Sequence, residues 1–337
     1  MPADVAMEIL LRSSDTSPSG IRRLSMQNIL ASTHNFGGHL VQEVQIMKPK
    51  PSTKRTRDWP TVTIVGVGLI GGSIGLSLQS RKISNRIIGV GRSNRSLSLA
   101  KKSKTITETS LNLERAVAEA DLVILATNVS TIPDLLDRID KHVSPGTFIT
   151  DAGSTKNTIV SAWERHRRTR RGCFVGSHPL TGSHRRGALA ASETLFNGRM
   201  TVVTPARRTP DDDTRRISDF WSALGSHVMT MSPKNHDKIL ASTSHAPHLL
   251  SAAIALSTPS SAHPFTAGGW RDTTRIASGD PELWADILLD NAVNTGKALS
   301  KVAANIEKIL AAIESENRQR LVKLLNRAKE ARDALGG

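Results

Sequence analysis

The chain predicts an α/β protein: a Rossmann-type, doubly wound, mainly parallel sheet followed by an all-helical C-terminal domain. Three observations carry this. From Thr61 to Ser232, short and continuously apolar runs alternate with longer amphipathic stretches, the pattern of strands covered on both faces by helices. A glycine-rich turn follows the first of these runs. After Pro233 the strand-like runs stop and helical periodicity takes over. At ~150 residues per domain, 337 residues suit about two domains.

The predicted strands are TVTIVG (61–66), RIIGVG (86–91), DLVILAT (121–127), TFITDAG (147–153), CFVGSHP (173–179), MTVVTP (200–205) and SHVMTMS (226–232). Between them, 73–80, 129–141 and 211–224 suit helices. Residues 234–257 and 281–334 read as helical, with 258–269 (TPSSAHPFTAGG) as a loop between them. Asp280-Pro281-Glu282 has the form of a helix start: an Asp cap, proline at the first helical position and an acid at the positive end of the dipole. Ile306, Ile309, Leu310 and Ile313 form one apolar stripe, which Leu321, Leu324, Leu325 and Ala328 repeat. Stripes of this kind need a partner surface, and a homodimer through these C-terminal helices is the expectation. The domain boundaries that follow are 1–58, 59–232 and 233–337.

Residues 1–58 have weak hydrophobic periodicity and end in the polar, basic stretch MKPKPSTKRTRDWP. This reads as a poorly ordered extension. It suits either a targeting peptide or a start placed too early, with Met47 as the first residue.

Forty-five Lys and Arg against thirty Asp and Glu give a net charge of +15. That balance suits nucleic acid or a small anionic substrate. Aromatics are 3% and tyrosine is absent, so stacking platforms for single strands are scarce and no nucleic-acid partner is expected. The densest basic run, Arg165 to Arg171 (RHRRTRR), reads as a solvated helix end. One cysteine, Cys173, excludes an intramolecular disulfide framework and a Cys-based zinc cluster. No uninterrupted apolar run reaches the ~18 residues of a spanning helix. A cytoplasmic protein without a membrane partner is the expectation.

Gly66-Val67-Gly68-Leu69-Ile70-Gly71 is G-x-G-x-x-G, placed after a strand and opening a helix, the context that gives the pattern its meaning. Gly66 permits the tight turn, Gly68 lets backbone approach a pyrophosphate, and Gly71 lets helix and strand pack closely. Leu69 and Ile70 complete the turn and join the cofactor set, and the N-terminus of the helix that follows has free N–H groups that suit phosphate. A dinucleotide site for NAD usually places an acid at the end of the second strand. Here that position reads Gly91-Arg92-Ser93-Asn94-Arg95. Arg92, Ser93 and Arg95 stand where a 2′-phosphate would lie, so NADP is favoured over NAD. Thr127 closes the strand LVILA and joins the cofactor set.

Ligands of such sheets sit outside the carboxyl ends of the strands. Three strand ends carry polar residues: Thr127, Asp151-Ala-Gly-Ser154, and Ser177-His178-Pro179. A histidine there is placed to take a proton from a substrate hydroxyl, and a serine nearby could orient it or the hydroxyl. A metal site is not expected, because no carboxylate lies at helical spacing beside His245 and His248 and an H-E-x-x-H pattern is missing.

GVGLIGGS (66–73), DAGSTK (151–156), GSHPLTG (176–182), SHAPHLL (244–250) and WRDTTRIASGDPELWADILLDN (270–291) together resemble the prephenate/arogenate dehydrogenase family of tyrosine biosynthesis. The resemblance runs from about residue 61 to the C-terminus. It implies oxidative decarboxylation of prephenate, or of arogenate, with hydride transfer to NAD(P)+. By that resemblance His178 is the catalytic base and Ser154 bridges substrate hydroxyl and nicotinamide. Arg275 binds the ring carboxylate, Ser244 and His248 line the substrate, and Asp272 and Trp284 support or wall the site. His248 inclines the reading toward prephenate. For Arg275 the plain alternative is a surface ion pair with Asp272.

Two departures stand out. After GSHPLTGS the family has an acidic residue and a lysine, whereas this chain has His184-Arg185-Arg186. The family's proline after the fourth strand's A-T is Asn128 here. Other readings are a second NADP-dependent hydroxy-acid or imino-acid oxidoreductase, which GSHP and TTRIASGDP oppose, and a binding or scaffolding protein on an inactive nucleotide fold. His178 together with intact glycines opposes the last.

Overall fold

The computed structural model describes residues 59–165, 169–182 and 185–334. The readings of residues 1–58, of the centre of the basic run and of His184 fall outside these. The chain divides into two compact units, one spanning Glu43–Ala311 and the other taking in the C-terminal residues from Ala312.

The first unit opens with β1 (Thr61–Val65), α1 (Leu69–Ser80), β2 (Arg86–Val90), α2 (Asn94–Lys102), β3 (Glu108–Ser110) and α3 (Leu113–Ala118). It continues through β4 (Leu122–Leu125), α4 (Ile132–Asp140), β5 (Phe148–Asp151), α5 (Asn157–Arg165) and β6 (Cys173–Pro179). β7 (Met200–Thr204), α6 (Asp211–Ala223) and β8 (His227–Thr230) complete the sheet. The helices after it are α7 (Pro233–Leu240), a π-helical turn at Ala241–His245, α8 (Ala246–Ser257), α9 (Gly268–Thr274), α10 (Pro281–Asp290) and α11 (Ala292–Glu314). α12 (Arg318–Asp333) lies in the second unit.

The eight strands lie in the order β3-β2-β1-β4-β5-β6-β7-β8. All pairs are parallel except β6–β7. The first six strands follow the doubly wound dinucleotide-binding order. Side chains alternate across the sheet: Val62, Ile64, Leu122 and Ile124 enter one apolar cluster, and Val65, Val123, Leu125 and Ile149 the other. This two-sided burial is why these strands read as unbroken apolar runs. Each fully buried side chain contributes roughly 1.5–3 kcal/mol.

The seven predicted strands are present, and the sheet adds an eighth. β3 (ETS) escapes a hydropathy reading because it is a short, partly exposed edge strand, where apolar residues would invite pairing with other chains. The helix predicted from Ser73 starts at Leu69. The predicted loop 258–269 also needs correction: Ser260–Phe265 is a 3-10 helix and α9 begins at Gly268. Pro264 and the glycine pair conceal both from propensity. The helix start at Asp280 is as expected, its carboxylate accepting from the N–H groups of Glu282 and Leu283 at 3.0 and 3.4 Å.

The run Pro233–Ser257 is long and apolar enough to cross a membrane by length and composition alone (25 residues, mean hydropathy 1.2). Its buried side carries His236, Asp237, His245 and His248, side chains costly to place in hydrocarbon. The sequence reading counted only uninterrupted apolar runs and finds no such segment.

Candidate active site

Because β1, β4, β5 and β6 run parallel, their C-terminal ends share one edge of the sheet. The Gly66 turn, Thr127, Ser154 and His178 therefore meet there. Two cavities open on that edge. One, of about 890 Å³, is lined by Gly66, Gly68, Arg92, Ser96, Thr127 and Asp134 among others. The other, of about 310 Å³, is lined among others by Leu69, Ile70, Ser154, His178, Arg186 and Trp284. Gly68, Ala126, Thr127 and Asn128 belong to both walls, so the two are adjoining parts of one groove. Each has the size of a small-molecule site.

The glycine turn fits a dinucleotide. Gly66 has φ +93°, and a Cβ there would meet the Ala126 carbonyl oxygen at 2.5 Å. A Cβ on Gly71 would stand 2.1 Å from the Gly66 carbonyl oxygen, so only glycine lets α1 pack this close to the turn. A Cβ on Gly68 would meet nothing within 4 Å and would point into open space where the backbone must approach phosphate. No side chain caps α1; its free N–H groups and positive dipole end suit an anion.

Arg92 lies on the larger cavity's wall. Ser93 does not; its hydroxyl caps α2 by accepting from the Ser96 N–H at 3.3 Å. Arg95 is exposed and off the wall.

His178 ends β6 with its ring on the smaller cavity's wall. Its Nδ1 is 2.9 Å from Nε2 of His236. Nδ1 of His236 is in turn 2.8 Å from Oδ1 of Asp237. The two carboxylate oxygens of Asp237 also accept the backbone N–H groups of Lys156 and Asn157, at 2.8 and 2.9 Å. Asp237 thus closes the start of α5 from another helix. His236 is fully buried and Asp237 nearly so. Burial, then the neighbouring His236 and Lys156, push His178 well below the usual imidazole value of 6.5, which keeps the ring neutral, with one nitrogen free to accept, at pH 7. Burial also lowers His236, against the opposing pull of Asp237.

Beneath the site, Lys156 and Asp151 form a fully buried ion pair. Lys156 Nζ also donates to the Ser177 carbonyl at 3.0 Å. Asp151 accepts the N–H groups of Gly153 and Ser177 at 2.9 and 3.0 Å. This network joins the ends of β5 and β6 and so sets the loops that carry Ser154 and His178. Burial pushes the Lys156 ammonium down, against Asp151 beside it.

α10 supplies the opposite wall through Leu283 and Trp284, preceded by Gly279 and Asp280. Asp286 on the same helix accepts from Asn128 Nδ2 at 3.2 Å and from Ser130 Oγ at 2.8 Å. Asn128, the departure from the family's proline, therefore ties the loop after β4 to α10. Arg186 pairs with Asp280 at 2.6 Å, closing one side of the cavity. Of the remaining predicted substrate residues, His248 is stacked under Trp284 and is not on the wall. Ser244 is partly buried in the π-helical turn, and Asp272 and Arg275 are exposed; none of the three lines either cavity. Among the described residues Arg275 and Asp272 form no ion pair with each other.

Sequence reasoning missed His236, Asp237, Asp286 and the Arg186–Asp280 pair. A His-Asp dipeptide in a helix's first turns was the available signal for the first two. The others depend on tertiary placement. No group of three or more His, Cys, Asp or Glu residues among those described is arranged to hold a metal ion.

A doubly wound sheet with its glycine turn and a histidine facing the adjoining cavity defines a nicotinamide-dinucleotide-dependent oxidoreductase. The comparisons narrow the class. Residues 74–230 match the prephenate dehydrogenase nucleotide-binding domain and 232–327 the prephenate dehydrogenase dimerization domain. The prephenate dehydrogenase of Bacillus subtilis is 34% identical over 282 residues, 82% of this chain and 76% of that one. Among solved structures, the prephenate dehydrogenase of Aquifex aeolicus with hydroxyphenyl propionate and NAD+ is 29% identical, with a TM-score of 0.74 over 81% of this chain and 97% of that one. The arogenate dehydrogenase of Synechocystis is 26% identical, with a TM-score of 0.69 over 81% and 99%. The chain belongs to the prephenate dehydrogenase family.

Proposed function

We propose that this chain is a prephenate dehydrogenase that oxidatively decarboxylates prephenate to 4-hydroxyphenylpyruvate. The single observation that carries this is the adjacency of the two cavities: His178 and Ser154 face the space that shares Gly68, Ala126, Thr127 and Asn128 with the dinucleotide groove.

Gly66, Gly68 and the N-terminus of α1 would hold the pyrophosphate, with Thr127 beside them. When bound, the nicotinamide supplies an acceptor for the hydride released at the ring carbinol carbon. Nε2 of His178 takes the carbinol proton, with Ser154 orienting the hydroxyl. As the ring–carboxylate bond breaks, CO2 leaves and the bonding pair enters the ring, which becomes aromatic. The proton held by His178 returns to the phenolic oxygen. Arg275, four residues before Gly279 on the cavity wall, is our choice for the ring carboxylate. Ser244, His248 and Asp272 support the wall around Trp284.

Arg186 at the cavity, beside Arg185, favours a substrate with two carboxylates and no ammonium, which is prephenate rather than arogenate. Arg92, with no acid at the end of β2, supports NADP over NAD. The homodimer rests on the matched dimerization domain and on apolar residues left half-exposed: Ile306 and Leu310 in the first unit, Ile313 and Leu325 in the second. Light scattering after size exclusion tests it. We place the enzyme in the cytoplasm, without nucleic-acid or membrane partners.

The test of the function is a steady-state comparison of prephenate and arogenate with NADP+ and NAD+, read as reduced nicotinamide absorbance. Turnover is expected to be fastest with prephenate and NADP+. No turnover with either substrate and either cofactor overturns the assignment.

A further inference from the structure

His236 and Asp237 are not on the wall of either cavity, yet they are joined to His178, which is. The hydrogen-bond chain runs Asp237, His236, His178, with separations of 2.8 and 2.9 Å. Its direction follows from counting protons. The Asp237 carboxylate already accepts two backbone N–H groups and has no proton to give, so Nδ1 of His236 must donate to it. A neutral imidazole carries one ring proton; Nε2 of His236 is then bare and can only accept. The nitrogen facing it, Nδ1 of His178, must therefore hold a proton. That leaves Nε2 of His178 bare, on a ring that lines the substrate cavity.

We propose that His236 and Asp237 are a positioning relay which locks His178 in its Nδ1–H tautomer and so presents Nε2 to the substrate as the proton acceptor. The inference rests on the reading of His178 as the base and names what makes it one. Asp237 anchors the relay by holding the first N–H groups of α5, so the orientation of His236 is fixed from two elements. No proton travels along the chain. When Nε2 of His178 is protonated, its Nδ1–H stays in place and donates more strongly to His236, while Asp237 remains a carboxylate.

The charged and titratable groups around the relay are Lys156 and Asp151 at the ends of β5 and α5, and His245 from the π-helical turn. Lys156 and His245 oppose a positive charge on His178; Asp237 and Asp151 favour one on His236. A buried histidine held neutral by its surroundings, with a carboxylate behind it, keeps the relay in the stated direction across neutral pH.

Imidazole nitrogen resonances of the full-length protein, labelled with 15N-histidine, read the tautomers directly. Protonated Nδ1 and bare Nε2 on His178 are expected at neutral pH. A proton on Nε2 of His178 in the resting enzyme overturns the relay, whatever the activity.

Kinetics give a second reading. Asp237→Asn leaves one acceptor oxygen for the three N–H groups that the carboxylate holds and removes the charge that fixes the proton on Nδ1 of His236. It is expected to lower kcat by ~10²–10⁴, as loss of the tautomer-setting carboxylate does in a catalytic triad, with KM and cofactor affinity held within about twofold. An unchanged kcat overturns the relay. Because Asp237 also supports α5, His236→Gln and His236→Leu form an independent pair. The glutamine oxygen can accept from Nδ1 of His178, so His236→Gln is expected to be at least ~10-fold faster than His236→Leu; equal rates overturn the proposal. His178→Asn separates the two ideas. Full turnover in that variant removes the base and leaves the spectroscopic tautomer assignment standing, whereas loss there with an unaffected Asp237→Asn removes the relay alone.

Discussion

The imidazole of His248 lies 3.5 Å from the indole of Trp284, 12° from parallel. The stack places an apolar wall, rather than the histidine, against the substrate cavity. Nδ1 of His248 is buried without a hydrogen-bond partner, and burial lowers its affinity for a proton. A neutral ring under the indole follows. His248 therefore backs the position of Trp284 by shape.

Gly279 controls that position. A Cβ there would meet Nε1 of Trp284 at 2.4 Å and Cε1 of His248 at 3.1 Å. Gly279→Ala is expected to displace the indole and raise KM for prephenate by ~10-fold, leaving cofactor affinity unchanged. Titration of both ligands by tryptophan fluorescence checks the split; equal weakening of the two would refute it.

Gly71 is the corresponding test of the cofactor turn. Its Cβ would stand 2.1 Å from the Gly66 carbonyl oxygen, a backbone atom that cannot swing away. Gly71→Ala is expected to destabilise the protein by roughly 1–3 kcal/mol and to weaken cofactor binding by more than substrate binding. Thermal denaturation with and without NADP+ measures both.

Arg92 lies on the larger cavity's wall, and the proposed NADP preference rests on it. Arg92→Asp is expected to shift preference from NADP+ to NAD+, since a carboxylate repels the phosphate and can bind a ribose hydroxyl. The ratio of kcat/KM values for the two cofactors is the measurement; an unaltered ratio assigns discrimination elsewhere.

Acid stability should depend on His245. Its Nδ1 faces the amide nitrogen of Asn291 and the hydroxyl of Thr295, each at 3.3 Å. The Asn291 amide is a donor, so Nδ1 serves as the acceptor. Burial lowers His245 to about 4. The unfolded chain takes up its proton near pH 6.5 and the folded one only near 4. Stability is complete above 6.5 and is lost as pH falls through that window, by about 3 kcal/mol at most for this group. Melting temperature is expected to drop between pH 6.5 and 4, less steeply in His245→Gln. Parallel curves for the two proteins would exclude His245 as the cause.

The Arg186–Asp280 pair predicts a different signature. Arg186 is 65% exposed, so the pair contributes little to stability, ~0–1 kcal/mol. Its charge bears on substrate capture instead. Arg186→Glu is expected to raise KM for the dianionic substrate several-fold at low salt and to have a smaller effect at high salt. Insensitivity to ionic strength would rule out this role.

Much of this was legible in the chain. Burial on both faces writes strands as apolar runs, and close packing of α1 on the turn demands glycine at 66 and 71, so the nucleotide half could be read directly. His178 was legible because strand ends are where such sheets bind ligands. The relay behind it was not: His236 comes from a helix 58 residues away, and only the chain's return past the sheet brings it into contact. His248 is expected at the substrate from its motif, and the structure shows it stacked on Trp284. Ser93 was read as a phosphate ligand while its hydroxyl caps a helix, since the same atom suits both tasks. β3 was hidden by its polar edge.

The π-helical turn at Ala241–His245 sets the angular phase of α8 relative to α7. In an uninterrupted α-helix His236 and His248, twelve positions apart, would point roughly 120° away from each other; five residues wound at about 4.4 per turn reduce that to roughly 30°. Pro247, which cannot donate a hydrogen bond to the preceding turn, sits where the winding relaxes. Rewinding the same residues as plain α-helix would turn His248 out from under its indole, whereas removing one residue between 241 and 245 as the coil tightens would bring it back to within about 10° of its present direction. At this spot a redesigned variant has to keep count and winding matched to each other.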